Sequence, residues 1–272
     1  MRCGIHSLVL TFQSTCYACL YAELVEEEEG RRYVEDVNDV RFAVPRYTIS
    51  EAARYLDVPE GTFRKWVDGY VFTPTHREVP TVGKPIIHSA SSKRHVPRLA
   101  FASLVEGLVI DALRQAGLSL QALRRIAKTL QTDFGDEWAL ASHRLTLSGG
   151  HGPSGPEVLW DYAEDHGDDE VLIAIDSRQR VFVDVVRDYL ERIVYVDEYA
   201  GQVYLPITSE RLLLIDPYRN FGRPTFASNA TPVSPVLDRI EAGESVNSVA
   251  RDYGLDPDEI RLAARHAAAF AA

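Results

Sequence analysis

The chain has 272 residues, of which 46% are hydrophobic, and a formal net charge of −11; its mean hydropathy is −0.15. This length allows a substantial buried core and about two domains. The apolar runs are shorter than the roughly 18 residues that a membrane span requires, and residues 8–21 contain too many polar side chains for a signal-peptide core. We therefore expect a soluble cytoplasmic protein that does not enter a membrane.

The charge is distributed unevenly along the chain. Residues 1–45 have a net charge of −4, residues 46–128 of +6 and residues 129–272 of −13. The overall acidity would argue against a nucleic-acid partner if it were spread evenly. Because it is not, the cationic block is the part of the chain that suits an anionic partner.

Residues 1–44 show little helical or strand periodicity, and we interpret them as a poorly ordered extension with at most one short helix. The three cysteines of the chain lie within its first 19 residues. Cys16 and Cys19 form a C-x-x-C pair, but no second pair follows to complete four zinc ligands. The sequence therefore predicts neither a metal nor a cofactor, and it assigns no role to this pair or to the extension.

A pair of short helices opens the cationic block. Thr48 is a candidate cap for the first helix, which Asp57-Val58-Pro59 ends. In the second helix Phe63, Trp66 and Val67 have the spacing of a buried face. This arrangement places Thr62, Arg64 and Lys65 on the outer face of the helix. A recognition helix presents this face to a DNA groove; the alternative is that the face is simply exposed to solvent.

A basic loop follows over residues 73–95, with a short strand-like segment at 86–88. Proline and glycine punctuate this loop, and its cations would suit a wing that lies on DNA phosphates. With the recognition helix, the loop gives the full set of candidate DNA-binding residues: Thr62, Arg64, Lys65, Arg77, Lys84, Lys93 and Arg94.

Two longer helices are predicted next, over 97–116 and 120–130, and the apolar excess of the first is either core or a dimer surface. The order of elements resembles the MerR-like winged helix-turn-helix domain. The residues that carry the resemblance are Tyr47 to Ala53, Leu56 to Pro59, Thr62 to Trp66 and Gln115 to Leu120. The resemblance implies a DNA-binding domain over 45–142, and operators of this kind imply a homodimer. No long coiled coil follows, so the effector-sensing half of MerR proteins does not carry over.

Residues 143–220 are predicted to form a small mixed α/β unit after a Gly/Pro-rich loop at 148–156. Apolar residues suggest strands at 171–175, 193–196, 201–205 and 212–215, with a helix over 181–190. The acidic cluster at 161–170 lacks calcium-loop spacing. Because the phosphate-loop, dinucleotide and nucleophile-elbow motifs are also absent from the sequence, we expect no catalytic residues and a protein that is not an enzyme.

Residues 221–272 contain three predicted helices, over 232–241, 246–253 and 257–270, that form a helix-turn-helix unit. Five short segments resemble the small antitoxin module encoded beside PIN-type toxins: Gly222-Arg223-Pro224, Thr231-Pro232-Val233, Ala242 to Ser245, Asp252 to Leu255 and Asp258 to Ile260. Residues 226–230 depart from that family, which has a Gly-Thr-Arg run there. A generic three-helix bundle is the alternative.

The sequence as a whole predicts a mainly helical α+β protein with a MerR-like winged helix-turn-helix, a central mixed α/β unit and a C-terminal three-helix module. The resemblance implies a VapB-type antitoxin that neutralises a PIN-type ribonuclease toxin in a hetero-oligomer and represses its own operon by binding operator DNA. The toxin would contact Arg223, Arg261 and Arg265. The alternative is a stand-alone MerR-like regulator with an effector-binding central unit. The operator, the RNA target and the stoichiometry stay open.

Overall fold

A computed structural model describes residues 39–73, 80–93, 95–134, 137–142, 188–207 and 210–270. Several predictions lie outside these residues: the cysteine pair, the 148–156 loop, the 171–175 strand, the 161–170 cluster, most of the 181–190 helix, Arg77 and Arg94. From Val40 onward the described residues belong to one compact unit. Its core is continuous from Tyr47 to Ala263, so the boundaries proposed at 142 and 220 stay predictions.

The two predicted short helices form as α2 (Ile49–Tyr55) and α3 (Glu60–Asp68). Thr48 caps α2 in a capping box with Glu51, in which each side chain bonds the other residue's backbone N–H. The apolar face of α3 is buried against α2 and the helix that follows. The local signals in the sequence therefore located both helices.

A two-stranded hairpin follows α3, with β1 (Tyr70–Phe72) antiparallel to β2 (Thr81–Gly83). The prediction of a strand-like segment at 86–88 is wrong, because these residues do not pair in a sheet. The N–H groups of Ile86 and Ile87 donate to the carbonyl of Trp66 at 2.8 and 3.2 Å, and both side chains are buried in the core. Their apolar character reflects packing against the helices rather than pairing in a sheet.

The central helix is α4 (Phe101–Gln115), which is buried along nearly its whole length. It begins later than predicted, because Leu99 pairs in extended conformation with Tyr47. Gly107 allows α3 to approach: a Cβ there would lie 2.6 Å from the ring of Phe63. The apolar excess of α4 is thus core of this chain and not a surface for a homodimer.

Helix α5 (Leu120–Phe134) and a 3₁₀ turn (Ala139–Ala141) complete this part. Helix α1 (Val40–Ala43) packs there too: the Phe42 ring lies 5.4 Å from Trp138 and 4.9 Å from Tyr199. These four residues fall in the segment predicted as a poorly ordered extension with at most one short helix. One turn of helix is too short to show a period in the sequence.

A four-stranded antiparallel sheet lies beyond, with its strands in sequential order. It consists of β3 (Ile193–Val196), β4 (Tyr199–Tyr204), β5 (Leu213–Ile215) and β6 (Thr225–Phe226). The first three strands were predicted within two residues of their ends. The fourth comes from the C-terminal segment, where Phe226 pairs with Leu213 and is fully buried.

The C-terminal helices are α6 (Val233–Glu241), α7 (Val246–Tyr253) and α8 (Pro257–Arg265), followed by a 3₁₀ turn (Ala267–Ala269). Ser245 caps α7, Gly254 ends it with φ of 66°, and Asp256 caps α8. The predicted helices are confirmed, although α8 ends before residue 270.

This module is joined to the N-terminal part. The Tyr47 hydroxyl donates to the Gly222 carbonyl at 2.8 Å, and Tyr55 stacks on Phe270 at 6.3 Å. A truncation after Asp216 would remove β6 and these contacts with the module. Point substitutions are therefore the appropriate probes of its function.

Among the described helices, none is long and apolar enough to cross a membrane. Nor do the residues that the structure places include a group of three or more His, Cys, Asp or Glu side chains arranged to hold a metal ion.

Candidate nucleic-acid and partner interfaces

The outer face of α3 presents the three candidate residues of the recognition helix. Phe63 is fully buried, which turns Thr62 and Lys65 into solvent and leaves Arg64 partly exposed. Arg64 forms an ion pair with Glu60, one turn earlier in the helix, and its hydrogen bond lowers the pKa of that carboxyl. An exposed pair of this kind contributes about 0–1 kcal/mol, so a DNA phosphate can replace Glu60 at small cost.

A groove of about 290 Å³ runs beside this helix. It lies where the N-terminal ends of α2 and α3 meet the segment around residue 96, and helix N-termini favour anions. Its lining residues are Thr48, Ile49, Ser50, Glu60, Arg64, His95, Val96 and Arg98.

Lys93 lies on a loop that an ion pair between buried Arg98 and exposed Asp68 fastens to α3. The guanidinium of Arg98 contacts Asp68 at the end of α3 at 2.5 Å and donates to the Ser91 carbonyl at 3.1 Å. The backbone N–H of Lys93 donates to the Ser91 hydroxyl at 3.1 Å. The loop thereby holds the exposed Lys93 side chain on the surface near the recognition helix.

Lys84 lies on a second, larger groove of about 550 Å³ that the sequence prediction missed. The groove runs between the end of β2 and α5, and its cations are Lys84, Arg124, Arg125 and Lys128. Arg124 donates to the Lys84 carbonyl and lies 5.3 Å over the Tyr70 ring. The signal was in the sequence: three basic residues fall within five positions, and no acidic residue occurs from Ser119 to Thr132.

A hydrogen-bonded pair of buried Glu106 and partly exposed His88 fixes the segment after β2 to α4. The Glu106 carboxyl is 0% exposed and accepts hydrogen bonds from the His88 backbone N–H at 3.0 Å; its other oxygen lies 2.7 Å from His88 Nδ1. Burial raises the pKa of Glu106, and the His88 contacts oppose that shift in part. The His88 ring also packs 4.5 Å from Trp138. This pair positions the groove, because His88 is one of its lining residues.

The predicted toxin-binding arginines are spread over the C-terminal module. Arg223 and Arg265 are exposed. Arg261 is exposed as well and forms an ion pair with Asp258 in its own helix; a surface pair of this kind is weak and leaves the guanidinium accessible to another carboxylate. The structure does not bring the three into one cluster by any described contact.

Acidic residues cap the start of α8. Asp256 and Glu259 form its capping box, and Asp258 follows in the first turn. Another arginine, Arg239, bonds both Glu244 and Asp252. A helix whose first turn carries this many carboxylates repels phosphates, which disfavours a second DNA-reading helix here.

Two family profiles match the chain. The profile described as "Putative DNA-binding HTH domain" matches residues 45–127, which contain α2 to α4 and the first half of α5. The profile described as "Protein of unknown function (DUF433)" matches residues 214–267, which contain β6 and the three C-terminal helices.

A curated relative from Mycobacterium tuberculosis (strain ATCC 25618 / H37Rv), named "Putative antitoxin VapB45", is 37% identical over 236 residues, covering 82% of this chain and 94% of the relative. The crystal structure of Rv2018 from Mycobacterium tuberculosis is similar with a TM-score of 0.65 at 33% identity, over 82% of this chain and 98% of that one. The chain belongs to the VapB-type antitoxin family and has a helix-turn-helix DNA-binding domain in its N-terminal part.

Proposed function

We propose that this protein is the antitoxin of a toxin–antitoxin pair, which neutralises a PIN-type ribonuclease and represses its own operon through a MerR-like winged helix-turn-helix. The observation that carries the proposal is the separation of charge on one compact unit. Residues 46–128 have a net charge of +6, whereas residues 188–270 have 13 acidic and 8 basic side chains, a net charge of −5.

The DNA-binding half rests on two neighbouring cationic surfaces. One is the face of α3 with Thr62, Arg64 and Lys65, and the other is the groove between β2 and α5 with Lys84. Residues that contact phosphates fix a protein on the duplex, and residues in the groove read bases. We assign base contacts to α3 and phosphate contacts to Lys84 and Lys93, with Arg77 and Arg94 as further candidates outside the described residues.

The toxin-binding half rests on the acidic C-terminal part and its family match. A ribonuclease must attract anionic RNA, so a PIN-type toxin is expected to present a cationic surface around its carboxylates. An acidic partner would be steered to that surface and would compete with RNA for it. We assign contacts with carboxylates of the toxin to three exposed arginines, Arg223, Arg261 and Arg265.

A stand-alone regulator is less well supported. It needs an effector cavity in the central unit, but the described part of the four-stranded sheet is packed by fully buried side chains, among them Val203, Leu213 and Ile215. A homodimer on a pseudo-palindromic operator stays part of the proposal, with a contact surface other than α4.

Two assays on the full-length protein test the proposal. The protein should shift DNA taken from upstream of its own gene, and the shift should weaken steeply as salt rises. Added in equal amount to the PIN-type nuclease encoded next to it, the protein should stop RNA cleavage. A protein that shifts DNA and leaves cleavage untouched would be a regulator without a toxin, and the proposal would be wrong.

A further inference from the structure

The loop from Asp216 to Arg223 holds two aromatic side chains in solvent. The Phe221 ring is 83% exposed and Tyr218 is 65% exposed. Large apolar side chains are usually removed from water, and a cluster of exposed ones marks an interaction surface. This loop connects β5 to β6, two neighbouring strands of the four-stranded sheet.

The backbone at Phe221 is strained. Asn220, Phe221 and Gly222 have φ of 45°, 54° and 75° in succession. Asparagine and glycine tolerate the left-handed region, but phenylalanine does so rarely. Gly222 is required for a second reason, because a Cβ there would lie 2.6 Å from the Tyr47 hydroxyl. Strain of this kind persists where the surrounding structure enforces it, and it concentrates at functional sites.

Hydrogen bonds at both ends of the loop enforce the left-handed backbone at Phe221. Asp216 is buried, accepts from the Tyr218 N–H at 2.8 Å and from the Gln202 side chain at 2.9 Å, and pairs with Arg219 at 3.3 Å. At the other end, the Gly222 carbonyl accepts from Tyr47. Phe221 is therefore held outward by a braced loop, which reduces the ordering cost of using it in a contact.

We infer that Phe221, flanked by Tyr218, is the apolar anchor through which this protein binds its toxin. The Phe221 ring enters an apolar pocket on the nuclease, and the neighbouring Arg223 contacts carboxylates at the rim of that pocket. The inference rests on the proposed antitoxin function and names the contact that function would use. Aromatic and arginine side chains are the residues that most often dominate the free energy of an interface.

The charges around the loop favour the toxin as the partner of Phe221 over a second copy of this chain and over DNA. In a two-fold contact centred on Phe221, Arg223 of one copy would lie close to Arg223 of the second copy, and like charges repel. DNA would be repelled by the net charge of −5 on residues 188–270, the part of the chain that carries this loop. A protein pocket with a carboxylate rim suits both the ring and the arginine.

The test is Phe221→Gly in the full-length protein, measured for binding to the neighbouring PIN-type nuclease, made inactive by substitution of a metal-binding carboxylate. Glycine accepts the left-handed backbone, so the melting temperature should equal or exceed that of the wild type. Affinity for the nuclease should fall about 30-fold or more, as at interface hot spots, and binding to operator DNA should not change. Ala230→Gly is the matched control, since it relaxes another positive φ, of 60°, and removes only a methyl group; its affinity should stay at the wild-type value.

Equal affinity of Phe221→Gly and the wild type for the nuclease would overturn the inference and leave the antitoxin function standing. If Phe221→Gly loses the DNA shift and still binds the nuclease, Phe221 contacts DNA. If the variant loses self-association in sedimentation, Phe221 contacts a second copy of this chain. Either result overturns the inference. A wild-type protein that does not bind the nuclease would refute the proposed function itself.

Discussion

An Arg64→Ala, Lys65→Ala double variant is expected to lose the electrophoretic shift on DNA from upstream of its gene while keeping its fold. Both side chains lie on the outer face of α3, where neither contributes to the buried core. Each lost phosphate contact lowers the slope of log affinity against log salt by about one unit, and a lost base contact costs about 1–3 kcal/mol. Two such losses bring specific binding close to the non-specific level.

The matched control changes the same charge elsewhere. Arg251 and Arg265 are exposed on α7 and α8, and a double substitution of these by alanine should leave the DNA shift nearly intact. Circular dichroism and melting curves establish that both double variants are folded. If the Arg64, Lys65 variant is folded and shifts the DNA at the same protein concentration as the wild type, the outer face of α3 is only solvated and does not bind DNA.

Substitution of Glu106 by alanine is expected to give a large loss of stability in the DNA-binding part. It removes the acceptor of the His88 backbone N–H and leaves a cavity beside α4. An unsatisfied buried donor and a lost buried partner together cost about 3 kcal/mol, which corresponds to a melting temperature lower by roughly 6–10 °C. Thermal and urea unfolding curves measure both quantities.

Glu106→Gln should behave differently and should reveal a pH dependence. The glutamine can accept from the His88 N–H and donate to Nδ1, so both hydrogen bonds persist. Burial raises the pKa of Glu106 in the folded protein, so the folded state holds this proton more tightly than the unfolded state does. The stability from that proton is fully present below the ordinary glutamate pKa and is lost as pH rises through the folded pKa.

Relative to the wild type, the glutamine variant should therefore gain stability as pH increases above about 4.5. Urea unfolding of both proteins at a series of pH values gives the difference in free energy. A difference that does not change with pH would mean that Glu106 has the same pKa in both states, contrary to its burial.

The elements that the sequence predicted well are those with local signals. Helix α7 was predicted to the residue, because Ser245 caps it and Gly254 ends it in the left-handed conformation. Helix α8 began as expected because Asp256 and Pro257 are a cap and a favourable first residue. Such signals depend on neighbours within one turn.

Features that depend on distant partners were not predictable in this way. Strand β2 contains only one large apolar residue, Val82, and exists through its pairing with β1. Ile86 and Ile87 mimic a strand because the core requires them to be apolar. Phe221 is an ordinary apolar residue in the sequence, and only its left-handed backbone and its exposure in the fold distinguish it.

The candidate site was found in part. Thr62 and Lys65 are exposed on α3 as predicted, and Lys84 and Lys93 are exposed beside it. The basic face of α5 was overlooked, because a run of cations on a helix is usually a solvated face. Only the position of α5 against the end of β2 shows that its cations line the same groove as Lys84.

We propose that one compact unit carries two separate surfaces, one for operator DNA and one for the toxin. A sedimentation experiment with labelled operator DNA, the full-length protein and the inactive PIN-type nuclease tests this directly. DNA and nuclease are expected to sediment together in one complex that requires the full-length protein. If added nuclease instead releases the DNA in proportion to its own binding, the two partners share a surface, and the basic and acidic parts of the chain do not bind different partners.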